Sequence, residues 1–111
     1  MDIRQLSPEV SVTGQITARD LDALMAQGFR SVICNRPDGE EPGQPTIASI
    51  EAAAKEKGLA FRSIPVVHGS PCIDESAAFA RALAEMPGPV LAYCRSGARS
   101  ANLWSLARGR G

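Results

Sequence analysis

The 111-residue chain carries little that would tie it to a membrane, a nucleic acid or a metal. Its charges cancel, 12 Lys plus Arg against 12 Asp plus Glu, so no net field draws it to a polyanion or a lipid surface. Lysine is scarce, with only Lys55 and Lys57. No apolar run approaches the ~20 residues of a membrane-spanning helix. Met1-Asp2-Ile3-Arg4 lacks the apolar stretch of a signal peptide, so none is expected. There is one histidine and no Cys-x-x-Cys, which speaks against a zinc site. The cysteines are Cys34, Cys72 and Cys94, an odd count that suits a reducing compartment better than a disulfide scaffold. No internal repeat or low-complexity run appears. These absences predict one domain over residues 1–111. The expected setting is cytoplasmic, with no metal, no cofactor, no nucleic acid and no membrane.

What is present is an alternation of strand and helix patterns. Met1 to Leu6 reads as an entry segment. Val10 to Thr13, Ser31 to Asn35, Leu59 to Val66 and Val90 to Tyr93 read as strands. Helical patterns lie between and after them. The first is capped at Thr17, with Leu21, Leu24 and Met25 facing the core. The second is capped at Thr46, with Ile47, Ile50 and Ala54 on one face. The third starts at Asp74 or Ser76 and buries Ala78, Phe79, Ala82 and Leu83; the last runs from Ser100 to Leu106, where Trp104 packs. Gly28 and Gly58 stop the first two. The order predicts an α/β fold, a small parallel sheet flanked by helices. In such sheets ligands sit beyond the carboxyl ends of the strands. Three loops should meet there: Arg36 to Pro45, Val67 to Ile73, and Cys94 to Arg99.

The third loop carries the chemistry. A strand feeding a loop that feeds a helix N-terminus aims free backbone N–H groups and the helix dipole at one spot. A thiol placed there, Cys94, favours the thiolate, and Arg99 adds a fork of donors. Cys94 is therefore expected to be a nucleophile rather than an inert buried thiol. Arg95, Ser96, Gly97 and Ala98 are expected to bind the anion, mainly through backbone N–H groups. Ser100 either bonds Cys94 or caps the helix. His68, Arg36 and Asp38 are possible accessory residues; the last two either line the pocket or pair with each other. Cys34 reads as strand core, and Cys72, in the Val67 to Ile73 loop, as a candidate sulfur relay.

Ser7-Pro8-Glu9-Val10, Thr13-Gly14-Gln15, Asn35-Arg36-Pro37-Asp38-Gly39-Glu40, Ile64-Pro65-Val66 and the Cys94 loop together resemble a small bacterial phosphatase-like domain. That domain is found alone or fused to metallo-β-lactamase-type hydrolases and is similar in fold to dual-specificity and tyrosine phosphatases. The resemblance implies such a hydrolase as a fused or separate partner. The chain departs from the phosphatase pattern. Tyr93 stands where those enzymes carry a His before the nucleophile, and four residues rather than five separate Cys94 from Arg99. The position expected for their general-acid Asp falls near His68. Tyr-Cys-Arg-Ser-Gly-Ala-Arg-Ser instead looks like the active loop of rhodaneses, which are sulfurtransferases. The expected function is sulfur transfer through a Cys94 persulfide, with thiosulfate or a low-molecular-weight persulfide as donor. The alternatives are a phosphatase working on a phosphoester through a Cys94 phosphocysteine and a non-catalytic anion-binding regulatory module.

Overall fold

A computed structural model describes residues 1–109. The strands are β1 (Arg4–Ser7), β2 (Val10–Thr13), β3 (Ser31–Cys34), β4 (Ala60–Ser63) and β5 (Val90–Tyr93). The helices are α1 (Asp20–Ala26), α2 (Ile47–Glu56), α3 (Ile73–Glu85) and α4 (Ala98–Gly109). They form one sheet in the order β1-β2-β5-β3-β4, parallel except for β1. Val10 pairs with Val90, Thr13 and Cys34 both pair with Tyr93, and β5 is the middle strand.

Burial explains that order. All four residues of β2, β3 and β5 are buried, which suits strands covered on both faces. Along β5 the side chains alternate. Val90 and Ala92 join Phe79, Ala82 and Leu103 of α3 and α4. Leu91 and Tyr93 join Leu21, Leu24, Ile50 and Ala54 of α1 and α2. A buried side chain such as Leu91 contributes about 1.5–3 kcal/mol relative to exposure. The parallel α/β layering thus agrees with the alternation in sequence.

Four details depart from the sequence expectations. The entry segment contains β1, which pairs antiparallel with β2. Its Arg-Gln-Leu-Ser sequence is polar and partly exposed, so no apolar alternation marks it. The first helix starts at Asp20, not after Thr17. Asp20 Oδ2 accepts the Thr17 backbone N–H at 2.8 Å, so the acid caps a preceding turn while the Thr17 hydroxyl donates to it. Met25 is 40% exposed rather than core, because Leu21 and Leu24 already fill the inward face. The strand expected over 59–66 is regular only over Ala60–Ser63; Ile64 and Val66 are still buried. Thr46 caps α2 by accepting the Ser49 N–H at 3.1 Å, and Trp104 packs partly buried against the α3–α4 core. Among the described residues no helix is long and apolar enough to cross a membrane.

Candidate active site

Cys94 is the first residue beyond β5, and both neighbouring strands pin it. Its N–H donates to the Thr13 carbonyl at 3.3 Å, and the Asn35 N–H donates to the Tyr93 carbonyl at 2.8 Å. Gly14 lets the chain after β2 close on the loop. A Cβ there would lie 2.9 Å from the Arg95 carbonyl oxygen, nearer than a side chain tolerates. Gly97 has φ +93 and faces the Thr13 backbone, so a side chain there would be both strained and crowded. That conformation turns the Gly97 N–H onto the Cys94 sulfur at 3.1 Å.

α4 begins at Ala98, two residues before the expected start. Gly97 ends the loop, and the Ser96 hydroxyl accepts the Ala98 N–H at 3.3 Å. Arg99 therefore stands in the first turn of the helix, not at the end of the loop. Ser100 is buried one residue further on and does not serve as the N-cap. Its hydroxyl donates to Asn35 Oδ1 at 2.8 Å, and Asn35 Nδ2 donates to the Ile64 carbonyl at 3.0 Å. The hydroxyl sits between two acceptors, Asn35 and Cys94, and a charged sulfur is the stronger of the two.

Cys94 is fully buried. Burial is the largest influence on its thiol and opposes ionisation. The N–H groups of Ser100, Ser96 and Gly97 and the Ser100 hydroxyl together outweigh it, and the thiol is held below its ordinary value. The Arg99 guanidinium is held in its charged form, first by its bonds to Glu40 and also by the Cys94 sulfur. Its Nη1 donates to Glu40 Oε2 at 2.7 Å and to the Val66 carbonyl at 2.8 Å; its Nη2 donates to Glu40 Oε1 at 2.8 Å. Glu40 in turn is pulled down to about 2, first by Arg99 and then, against burial, by Arg36. Arg36 is buried; its Nε binds Glu40 at 2.9 Å, its Nη2 binds Glu41 at 2.7 Å, and its Nη1 donates to Gln15.

A cleft of about 710 Å³ opens above this base, lined by Glu40, Val67, His68, Cys72, Arg95, Ser96, Ala98 and Arg99 among others. The three loops predicted to meet do meet there. His68 is exposed on its wall. Cys72 is buried in the wall at φ +62, its sulfur donating to the Ser70 carbonyl at 3.1 Å. Arg95 is exposed and pairs with Glu41 at 2.9 Å. Arg36 and Asp38 do not pair with each other. Asp38 accepts the Ile47 N–H at 2.8 Å and so steadies the start of α2, while Arg36 sits behind the cleft as a support for Glu40. Cys34 is strand core, as expected. Glu40, Asn35 and the Val66 carbonyl were not singled out from the sequence. The signal for Glu40 was present, since three acids, Asp38, Glu40 and Glu41, follow one arginine in a single turn.

Known proteins share this fold and much of this sequence. The family model for the phosphatase-like domain of beta-lactamase hydrolase-like protein matches residues 2–110. A beta-lactamase hydrolase-like protein of Agrobacterium fabrum is 40% identical over 104 residues, covering 92% of this chain and 24% of that protein. Its Xylella fastidiosa (strain Temecula1) counterpart is 37% identical over 107 residues, covering 96% and 25%. The chain thus spans about a quarter of the length of these relatives. A crystal structure of a Neisseria meningitidis protein described as a candidate phosphatase superposes with a TM-score of 0.89 at 33% identity, covering 97% of this chain and 77% of that one. With its cysteine-centred loop at the end of the middle strand, the chain belongs to the family of phosphatase-like domains of beta-lactamase hydrolase-like proteins.

Proposed function

We propose that the chain is a cysteine-dependent hydrolase of the phosphatase type, with Cys94 as nucleophile and Arg99 as the oxyanion fork. One observation carries this reading: a buried sulfur that accepts backbone N–H bonds lies beside an arginine whose position is fixed by Glu40 and Val66. The Cys94 thiolate attacks phosphorus, the S–P bond forms as the ester P–O bond breaks, and the leaving oxygen departs as the alcohol or phenol with a proton taken from water. Water then hydrolyses the phosphocysteine and releases phosphate. The loop N–H groups and Arg99 hold the equatorial oxygens. The relatives support this reading over sulfur transfer.

Sulfur transfer is kept as a second reading on a specific observation. Glu40 is the only carboxylate lining the cleft among the described residues, and it is ionised and bound to two arginines. No carboxylic acid stands ready to protonate a leaving alkoxide; His68 is the remaining candidate. Thiolate attack on a sulfane sulfur would leave a Cys94 persulfide and expel sulfite or a thiolate, neither of which needs a proton. The four-residue loop also removes one N–H donor from the ring a phosphoryl group would use.

One experiment separates the two. The protein is incubated with an aryl phosphate, with thiosulfate and with glutathione persulfide, and followed by phosphate release and intact mass. Cys94-dependent phosphate release supports the hydrolase. A Cys94-dependent gain of one sulfur without phosphate release overturns it in favour of transfer. Anion binding with neither product would make the domain a regulatory module. All three cysteines are free, which supports a reducing, cytoplasmic setting. A metallo-β-lactamase-type hydrolase, fused or separate, is the proposed partner, and co-purification would test it.

A further inference from the structure

We infer that Glu40 is a positioning residue that decides which edge of Arg99 faces the substrate. The inference rests on reading the Cys94 loop as an anion site, and not on which reaction occurs there. A guanidinium has five N–H donors in a fixed plane. Nη1 uses both of its hydrogens, on Glu40 Oε2 and the Val66 carbonyl. Nη2 uses one, on Glu40 Oε1. The two donors outside these contacts are Nε–H and the outer Nη2–H, which lie on one edge and form a two-pronged fork. Arg99 lines the cleft, so this fork is what the arginine has left to offer an anion bound there. Glu40 is itself fixed from behind, since its Oε1 accepts Arg36 Nε at 2.9 Å and Arg36 is buried. Arg36, Glu40 and Arg99 thus form a relay from the protein interior to the anion. Without Glu40 the end-on edge would compete with the side-on fork for any bound oxyanion, and the arginine could turn away from Cys94.

This assignment predicts a sign opposite to that of simple charge. Glu40→Gln removes a negative charge from the cleft. Electrostatics alone would then tighten binding of an anion. Positioning predicts that binding weakens. The measurement is protection of Cys94 from iodoacetamide by sulfate, with the sulfate concentration for half-protection as readout. Sulfate is the probe because it cannot turn over as a phosphoester, so failure of the hydrolase reading leaves the test intact. Glu40→Gln should raise that concentration about tenfold, the loss expected when a charge-assisted bidentate contact is misaligned. Glu41→Gln removes the same charge but touches Arg36 and Arg95, not Arg99, and should stay within about twofold of wild type or bind slightly tighter. Glu40→Asp keeps the charge with a shorter reach and should also weaken protection. If Glu40→Gln fails to fold, Glu40→Asp carries the test against Glu41→Asp. Equal or tighter sulfate protection in the Glu40 variants would overturn the inference.

Discussion

Two cysteines lie at the same end of the sheet, both buried, and their chemistry is opposite. Cys34 ends β3 and Cys94 follows β5, with 1% and 0% of their surface exposed. Burial pushes the Cys34 thiol up, and the Tyr93 hydroxyl does not offset it. Its sulfur donates to the Arg36 carbonyl at 3.3 Å, a contact only a thiol can make. Cys94 meets more donors, and its thiol is held down. Tyr93, between them, is itself pushed up by burial and by Cys34. Burial does not distinguish a reactive cysteine from an inert one here. What does is whether the donors around the sulfur outweigh burial: the Tyr93 hydroxyl and the Arg36 N–H do not at Cys34, while the loop N–H groups and the Ser100 hydroxyl do at Cys94.

The largest effect expected from breaking the comparison is on turnover. Cys94→Ser should lower any activity by on the order of a thousandfold or more, because the hydroxyl is not ionised by the same donors. Cys34→Ser should retain most of the wild-type rate, at some cost in melting temperature. Loss of activity in a folded Cys34→Ser protein would show that the two sites are not separate. Arg99→Lys comes next, with a loss of about a hundredfold in kcat/KM, since a point charge cannot supply the fork. Lys at this position would also leave Glu40 without its two-pronged partner. Wild-type kinetics in that variant would remove Arg99 from the chemistry.

The Cys94 end of this comparison was legible in the sequence because it is local. The strand, the short loop and the arginine lie within ten residues, and their order alone implies donors around the thiol. The convergence of three loops was legible from the alternation of elements. Glu40 was not, because its partner Arg99 lies 59 residues away and is brought to it by the fold. Asn35 was missed for the same reason; it reaches Ser100 across 65 residues. β1 was missed because a polar edge strand is specified by pairing with β2 rather than by its own side chains. Asp38 was left open between lining the pocket and pairing with Arg36, because nothing local in the sequence shows that its carboxylate accepts the Ile47 N–H at the α2 N-terminus.

A smaller effect sharpens the comparison through pH. Alkylation of Cys94 should show a midpoint below the free-cysteine value of about 8.5, and that of Cys34 a midpoint above it. The linkage signs follow. Cys94, with its folded value depressed, contributes stability above the ordinary thiol range that is lost as pH falls through the folded value. Cys34, with its folded value raised, contributes stability below that range that is lost as pH rises through its own. Comparing Cys94→Ala and Cys34→Ala melting curves from neutral to alkaline pH would show the differences from wild type moving in opposite directions. Parallel curves would mean the sulfurs do not differ in this way.

The smallest effect isolates one donor. The Ser100 hydroxyl lies between Asn35 Oδ1 and the Cys94 sulfur, and its single hydrogen serves one at a time. When Cys94 ionises, the charged acceptor draws that hydrogen and Asn35 keeps only its bond to the Ile64 carbonyl. Ser100→Ala removes the donor but leaves the N–H groups of Ser96, Gly97 and residue 100 in place. The Cys94 alkylation midpoint should therefore rise by no more than about one pH unit and remain below that of Cys34. Ser100→Thr, which keeps a hydroxyl, should restore the wild-type midpoint. A rise that carries Cys94 up to the Cys34 value would mean the hydroxyl, not the loop backbone, sets the difference between the two cysteines. No rise at all would mean that Asn35 keeps the hydrogen in both states of the sulfur, and that the backbone donors alone make Cys94 the reactive one.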